Sequence, residues 1–321
     1  MDIEVLQRAY QREKERRKQA ELMLEEKSRE LYLSHEKIAQ SYKDLEQTNT
    51  DLKKKQDELV QLLNAYAAVT GELQLAAKLQ EDLLPDPIAL TTHAALGYFQ
   101  PASFVAGDAY DFFMLSDHVF AFYIIDVEGH GAASAMTSFA IHSQLNPKLD
   151  GLCRRNLDNN NSHSQAVCSA VSELNQAFYN PTATNKYFTM VYGLLDLRTG
   201  TVTCCQAGHP APILCSADES HEVGDGGFPV GSLQDPEYTS FERKMLPGDR
   251  LAIYSDGVIE NFSDQKELFG KNRLLDILTS TRSESQQQCV DSLKTALQDW
   301  NSSDEFADDV TMLLIDFRKT V

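Results

Sequence analysis

A seven-residue step through the first part of the chain lands on Ile3, Tyr10, Arg17, Leu24, Leu31, Ile38, Leu45, Leu52, Leu59, Tyr66 and Leu73, an apolar seam with one interruption at Arg17. A repeat of seven is the signature of a row that faces a partner helix in a coiled coil. The row three residues earlier reads Ser28, His35, Tyr42, Asn49, Gln56 and Leu63, largely polar. Each polar residue there weakens the pairing. The pattern predicts a helix over residues 1–70 that forms a weak parallel homodimer, with Asn49 able to fix the register. A single solvated helix is the alternative, but it has nothing to bury the leucine row against, and isolated helices draw most of their stability from packing.

Residues 1–70 contain no Gly, Pro, Phe, Trp or Cys, whereas the rest holds all 16 Gly, 10 Pro and 15 Phe. That break marks a domain boundary. Beyond Thr70 and Gly71, the segment ELQLAAKLQEDLLP is amphipathic and closed by Pro85 and Pro87, which predicts a separate linker helix over 71–87. Strand patterns follow at ALGYFQPA, DAYDFFML and HVFAFYIIDV, with Ser116 and Asp117 as a turn. Residues 129–131 open an Ala/Met/Phe-rich helix to about Leu145, and the Asn-rich stretch 151–164 reads as a flexible loop. Then come a helix (SQAVCSAVSELNQAFYN) and the strands KYFTMVYGLLDL and TVTCCQAGH, joined by Arg198, Thr199 and Gly200. Strands at APILC, YTSFERKML and DRLAIYSD, helices over 268–281 and 285–300, and a last strand VTMLLIDF complete the chain. Strands and helices come in blocks, so residues 88–321 are expected to form an α+β domain, a β-sandwich flanked by helices.

Charge sharpens this picture. The chain carries 29 Lys+Arg against 48 Asp+Glu, a net charge of −19, and nearly all of the excess lies after residue 70. Binding nucleic acid by phosphate neutralisation is thereby excluded. No apolar run approaches the roughly 18 residues of a membrane span, and the charged N-terminus lacks a signal core, so a cytoplasmic protein is expected. The six cysteines show no CxxC pair, which argues against a zinc site and a disulfide framework. The vicinal Cys204 and Cys205 point to opposite faces of a strand and read as packing.

Four acidic sites share one grammar, an apolar run followed by Asp with Gly or a second Asp beside it. They are AGDAYD around Asp108, DVEGHG from Asp126, YSDGV around Asp256, and DDVT at Asp308 and Asp309. A single Asp-Gly reads as a turn residue. Four at strand ends, without clustered Lys or Arg to pair them, point to a hard divalent cation, because an unpaired carboxylate at a buried strand end is costly. All-oxygen ligands suit Mg²⁺ or Mn²⁺.

In order along the chain, AGDAYD, DVEGHG, QAGHPAPIL, GFPVG, LPGDRLAIYSDGVIEN, ELFG and DDVTMLL resemble the PPM-type metal-dependent protein serine/threonine phosphatases, in their bacterial SpoIIE/RsbU-like branch. The resemblance runs from about Glu72 to Phe317, and ELQLAAKLQEDLLP resembles the helix preceding the catalytic domain in that branch. It implies α-β-β-α layers and two Mn²⁺ or Mg²⁺ ions sharing a water that attacks phosphorus. It implies Asp126 as the ligand bridging both ions, the Val127 carbonyl facing the second, and Asp108 on the second directly or through water. Asp256 and Asp308 would hold the first ion, with Asp309 as a further ligand or an acceptor behind them; the doubled Asp leaves 308 and 309 undecided. The substrate implied is a phosphorylated protein, typically a small anti-sigma-factor antagonist.

This chain departs from the family pattern in three places. Ala106 stands where the branch usually has Gly. Phe104 stands near where many relatives carry a phosphate-holding basic residue. His130 lies four residues after Asp126, not two, and is expected to cap the next helix; His209 is expected to hydrogen-bond in the fold. No GxSxG elbow and no Cys in a basic setting offers a protein nucleophile. A catalytically silent pseudophosphatase that binds a partner is the competing expectation; a nucleotide phosphohydrolase is disfavoured by the lack of a Gly-rich phosphate loop.

Overall fold

A computed structural model of the chain describes all residues except 1–2, 91, 130, 159–161, 181–186, 218, 302–305 and 319–321. It divides into two compact units, Met1–Gly71 and Glu72–Val321. One helix, α1 (Ile3–Glu81), supplies the whole first unit and the opening of the second. The separate linker helix expected after Gly71 is therefore not separate. One glycine inside a helix costs only about 1 kcal/mol relative to alanine, too little to stop a long helix of good formers. In the first unit the seam is bare: Leu24, Leu31, Leu52 and Leu59 are all more than half exposed.

The second unit is built on two antiparallel sheets. Sheet order is β1 (Ile88–Ala89), β2 (His93–Gln100), β11 (Val310–Phe317), β10 (Arg250–Tyr254), β7 (Ile213–Cys215) and β8 (Ser220–Glu222) in one. The other runs β3 (Asp108–Ser116), β4 (Val119–Val127), β5 (Phe188–Asp196), β6 (Thr201–Ala207) and β9 (Ser240–Lys244). Helices α2 (Ala132–Asp158) and α3 (His163–Phe178) cover the second sheet; α5 (Gly270–Ser280) and α6 (Gln286–Asn301) cover the first. The short helix α4 (Asp256–Ile259) follows β10 directly. The α+β layered sandwich expected from the sequence is the architecture observed.

Period-two alternation explains the near-continuous apolar strands. In β4, Phe120, Phe122 and Ile124 enter the core between the sheets, while Ala121, Tyr123 and Ile125 enter the layer beneath α2 and α3. In β11, Leu313 and Ile315 face the inter-sheet core, and Met312 and Leu314 face α5 and α6. Both faces are covered, so both must be apolar. Arg250, fully buried, forks onto Asp316 (Nε–Oδ1 2.7 Å, Nη2–Oδ2 3.1 Å) and donates to the carbonyls of Thr281 and Glu284, fixing the turn between α5 and α6.

The sequence reading of the Asn-rich segment needs correction. Helix α2 continues past Leu145, through Pro147, to Asp158, so the expected loop is helical over its first half; residues 159–161 lie outside the described set. Pro147 sits where its neighbours pack: Leu145, Leu149 and Leu152 are buried against β3 and β4, and that packing outweighs one lost backbone hydrogen bond. Among the described residues no helix is long and apolar enough to cross a membrane.

Candidate active site

The four acidic motifs gather at one end of the sandwich because of strand register. Asp108 opens β3 and Asp126 lies next to last in β4, and the two are directly opposed across the β3/β4 ladder. In the other sheet, Tyr254 ends β10 opposite Met312. The chain then places Asp256 at the start of α4 and Asp308 and Asp309 just before β11. Ser255 ties the two segments: its N–H donates to the Thr311 carbonyl (2.9 Å), its hydroxyl donates to the Asp309 carbonyl (3.2 Å) and accepts from the Thr311 N–H (3.0 Å). Gly257 is required by this approach, since a Cβ there would lie 2.1 Å from the Asp309 carbonyl oxygen.

The structure separates the doubled aspartates. Asp309 is buried, and its carboxylate accepts the N–H groups of Ala102 (2.8 Å) and Gly107 (2.6 Å), closing the loop that delivers Asp108. Asp308 is exposed, and its side chain accepts the N–H of Asp309 (2.8 Å). Asp111, the second acid of AGDAYD, turns away from this end. It accepts from the N–H of Phe112 and from Asn146 of α2, and Tyr123 joins Asn146 (2.8 Å) to His142 (3.0 Å).

Electrostatics mark the centre. Burial, with Asp256, Asp308, Asp309 and Glu260 nearby, pushes the Asp126 carboxyl up to about 7. Burial, then Asp308 and Glu260, raises Asp256 to about 6. Asp108 is held well above the usual carboxylate range by complete burial and then by Asp126, although the hydroxyls of Thr311 and Ser255 face it. Its Oδ2 has no hydrogen-bond partner. Carboxylates raised by burial and by one another, with one buried oxygen left over, are what a site for hard cations looks like in charge and donor type. Among the described residues the side chains do not close in threes on one point. The donor set nevertheless fits oxygen-ligated Mn²⁺ or Mg²⁺.

A cleft of about 340 Å³ opens beside Asp126 and Asp256, lined also by Thr189, Glu260 and Lys271. His209 borders it, buried. Its Nδ1 meets the Thr189 hydroxyl at 2.8 Å, and burial pushes its pKa down to about 3, so the ring is neutral. Glu260 escaped the sequence reading; its place one helical turn after Asp256 was the available signal. Gln80, which pairs with the backbone of Ala106, was also missed. His130 lies outside the described residues.

Comparison with known proteins agrees with this fold. The family model of stage II sporulation protein E matches residues 116–318. Protein IcfG of Synechocystis sp. is 30% identical over 261 residues, 76% of this chain and 41% of that protein. Phosphoserine phosphatase RsbP of Bacillus subtilis is 25% identical over 249 residues, 77% of this chain and 58% of that protein. The chain thus spans about half the length of these relatives. Among solved structures, the SiaA-PP2C domain of Pseudomonas aeruginosa superposes with a TM-score of 0.64 at 17% identity, covering 80% of this chain and 99% of that one. The SpoIIE PP2C phosphatase domain of Bacillus subtilis gives 0.56 at 18% identity, covering 71% and 64%. The match over residues 116–318, more than half of the chain, shows that the chain belongs to the SpoIIE family.

Proposed function

We propose that this protein is a cytoplasmic, metal-dependent protein phosphatase that hydrolyses phosphoserine or phosphothreonine on a partner protein. The observation that carries this reading is the opposed pair Asp108 and Asp126, meeting Asp256 and Asp308 at one end of the sandwich with one buried carboxylate oxygen unpaired. Asp126 would hold two ions jointly, with the Val127 carbonyl and Asp108 on the second and Asp256 and Asp308 on the first. Asp309 holds the 102–107 loop through two N–H groups and is an acceptor behind the ligands. When bound, two Mn²⁺ or Mg²⁺ ions would lower the pKa of a water between them and neutralise phosphate oxygens during in-line displacement. The chain's own part is to hold the carboxylates deprotonated and fixed. Neutral, buried His209 and a lining that, among the described residues, contains no cysteine fit a reaction without a protein nucleophile.

The motif resemblance suggests a small anti-sigma-factor antagonist as the substrate. We assign residues 1–70 to a dimerising coil, 71–87, within which α1 ends at Glu81, to a switch segment, and 88–321 to catalysis. In this scheme a partner that favours one state of the coil shifts the geometry of the metal site. Incubation with Mn²⁺ and a phosphoserine-bearing antagonist, following phosphate release, tests the reading. Release stopped by EDTA is the expected result, and binding without release would reassign the protein as a non-catalytic module.

A further inference from the structure

The cleft beside the acidic centre contains charge of the opposite sign at one point. Of the charged groups described along its walls, Asp126, Asp256, Glu260 and Glu222 are acidic, and Lys271 alone is a cation. Lys271 reaches the wall because Gly270, at φ 77°, turns the chain out of the buried Phe269 into α5. A left-handed residue at that position suits glycine. Its Nζ meets Oε1 of Glu222 on β8 at 2.7 Å, with the two side chains 43% and 35% exposed. Beneath them the buried Tyr254 lines the same cleft, and its hydroxyl has no hydrogen-bond partner.

A Lys–Glu pair this exposed contributes little to stability, so stapling β8 to α5 is a weak reason for its presence. It also opens readily. A phosphate monoester entering this cleft meets the carboxylates of Asp126, Asp256 and Glu260. It needs a cation that is not already committed to a buried partner, and Lys271, on a long flexible stem, is the group in the cleft that meets this need.

We propose that Lys271 is the positioning residue for the phosphoryl group of the substrate: it leaves Glu222 and pairs with a phosphate oxygen seated beside Asp126 and Asp256. Glu222 then acts as a competitor, holding the ammonium in the cleft of the free enzyme and lowering apparent affinity for phosphate. This inference rests on the phosphatase reading above. It adds a specific substrate contact outside the carboxylate centre.

The test compares wild type with Lys271→Ala, Lys271→Arg and Glu222→Gln, each full length and with Mg²⁺ or Mn²⁺. The readouts are kinetics on p-nitrophenyl phosphate and a phosphoserine peptide, and binding of inorganic phosphate by calorimetry. Loss of one charge-assisted hydrogen bond predicts that Lys271→Ala raises KM for both esters and weakens phosphate binding about tenfold, with kcat little changed. Lys271→Arg should retain most of the affinity. Glu222→Gln, which breaks the same ion pair but keeps the cation, should tighten phosphate binding. A purely structural pair predicts instead that Glu222→Gln and Lys271→Ala fail alike, with lowered melting temperatures, and that result would overturn the proposal. An effect of Lys271→Ala confined to the peptide would also overturn it, since the anion recognised would then lie elsewhere on the substrate. If wild type hydrolyses neither ester, the phosphatase reading fails, while the phosphate titration still decides whether Lys271 binds that anion.

Discussion

The side-chain amide of Gln80 is zipped to the backbone of Ala106: Gln80 Nε2 donates to the Ala106 carbonyl at 2.8 Å, and the Ala106 N–H donates to Gln80 Oε1 at 3.0 Å. Both residues are buried. Ala106 is followed by Gly107, whose N–H is held by Asp309, and then by Asp108. The last turn of α1 is thereby joined through two hydrogen bonds to the segment that places one of the acidic groups. Gln80→Ala leaves both backbone groups of Ala106 without their partner, at about 1–3 kcal/mol each. Chemical denaturation should show a loss of about 2–6 kcal/mol for the two groups together, and Mn²⁺ titration should show weaker binding without any change in the carboxylates themselves. Unchanged metal affinity in a destabilised Gln80→Ala protein would confine this contact to the fold.

The two neighbours Asp308 and Asp309 should part company on mutation. Asp309→Ala strands the N–H groups of Ala102 and Gly107 and should lower the melting temperature markedly, whether or not metal is present. Asp308→Ala removes an exposed side chain and should leave stability within about 0.5 kcal/mol of wild type. Its effect belongs on Mn²⁺ affinity and turnover, which should fall by orders of magnitude, as they should in Asp126→Asn and Asp256→Asn. Thermal scans with and without Mn²⁺ separate the two behaviours. Intact activity in Asp126→Asn would remove the two-ion assignment altogether.

Which parts of this architecture were readable in advance follows from where the information lies. The strand ends were legible because Asp after an apolar run is expensive without a partner, and that rule needs only local sequence. The long N-terminal helix was legible because its seven-residue spacing is likewise local. The different settings of Asp308 and Asp309 were not, because the burial of Asp309 depends on N–H groups about 200 residues away, at Ala102 and Gly107. Gln80 looked like one more polar residue on an amphipathic helix; its role exists only once α1 packs on the 102–107 loop. Continuity of α1 through Gly71 reflects a penalty too small to stop a run of good helix formers, whereas continuity of α2 through Pro147 shows tertiary packing overriding a local breaker.

The raised carboxylates predict how the metal-free protein responds to pH. Asp126 titrates near 7 when folded and near its ordinary value of 3.8 when unfolded, so the folded state binds the proton more tightly. Its contribution to stability is therefore fully present below the unfolded value and is lost as pH rises through about 7. In EDTA, the melting temperature should rise as pH is lowered from about 8.5 to 6.5. The lower end of that window meets the ordinary histidine value of 6.5, below which His209, His93 and His142, with their depressed pKa values, act in the opposite direction. Saturating Mg²⁺ should flatten the trend and release protons on binding, as calorimetry in buffers of different ionisation enthalpy would measure. A metal-free melting temperature that climbs with pH across this window would contradict the clustered-carboxylate picture.

The thiols should prove irrelevant to turnover but unequal in reactivity. Cys153, Cys204, Cys205, Cys215 and Cys289 are buried, while Cys168 on α3 is partly exposed. Contact with the Cys205 thiol, and more weakly with the Ser240 hydroxyl, lowers Cys168 to about 6 against the cost of its burial. Iodoacetamide at neutral pH should label Cys168 first, as peptide mass spectrometry would show, and phosphate release should survive that labelling. Loss of activity with the circular dichroism spectrum unchanged would place a thiol in the reaction.

The bare seam of α1 makes the final prediction. Leu24, Leu31, Leu45, Leu52 and Leu59 recur at seven-residue steps or multiples of seven, and each is more than half exposed in the single chain. A helix of 79 residues, on the order of 120 Å long, does not leave such a row in water when a second copy can cover it. The full chain should therefore sediment as a dimer, and a chain beginning at Glu72, which retains the compact second unit, as a smaller species. Because the adjoining row carries Ser28, His35, Asn49 and Gln56, the dimer should dissociate at accessible dilution. Replacing Leu45 and Leu52 with Lys should abolish it without moving the melting transition of the second unit. Mn²⁺ titrations of phosphatase rate on dimer and truncated chain would then show whether pairing tunes the metal site: a shifted half-saturation point supports coupling. Full-length protein that sediments as a monomer, with the same metal dependence as the truncated chain, would eliminate both the dimer and its regulatory role.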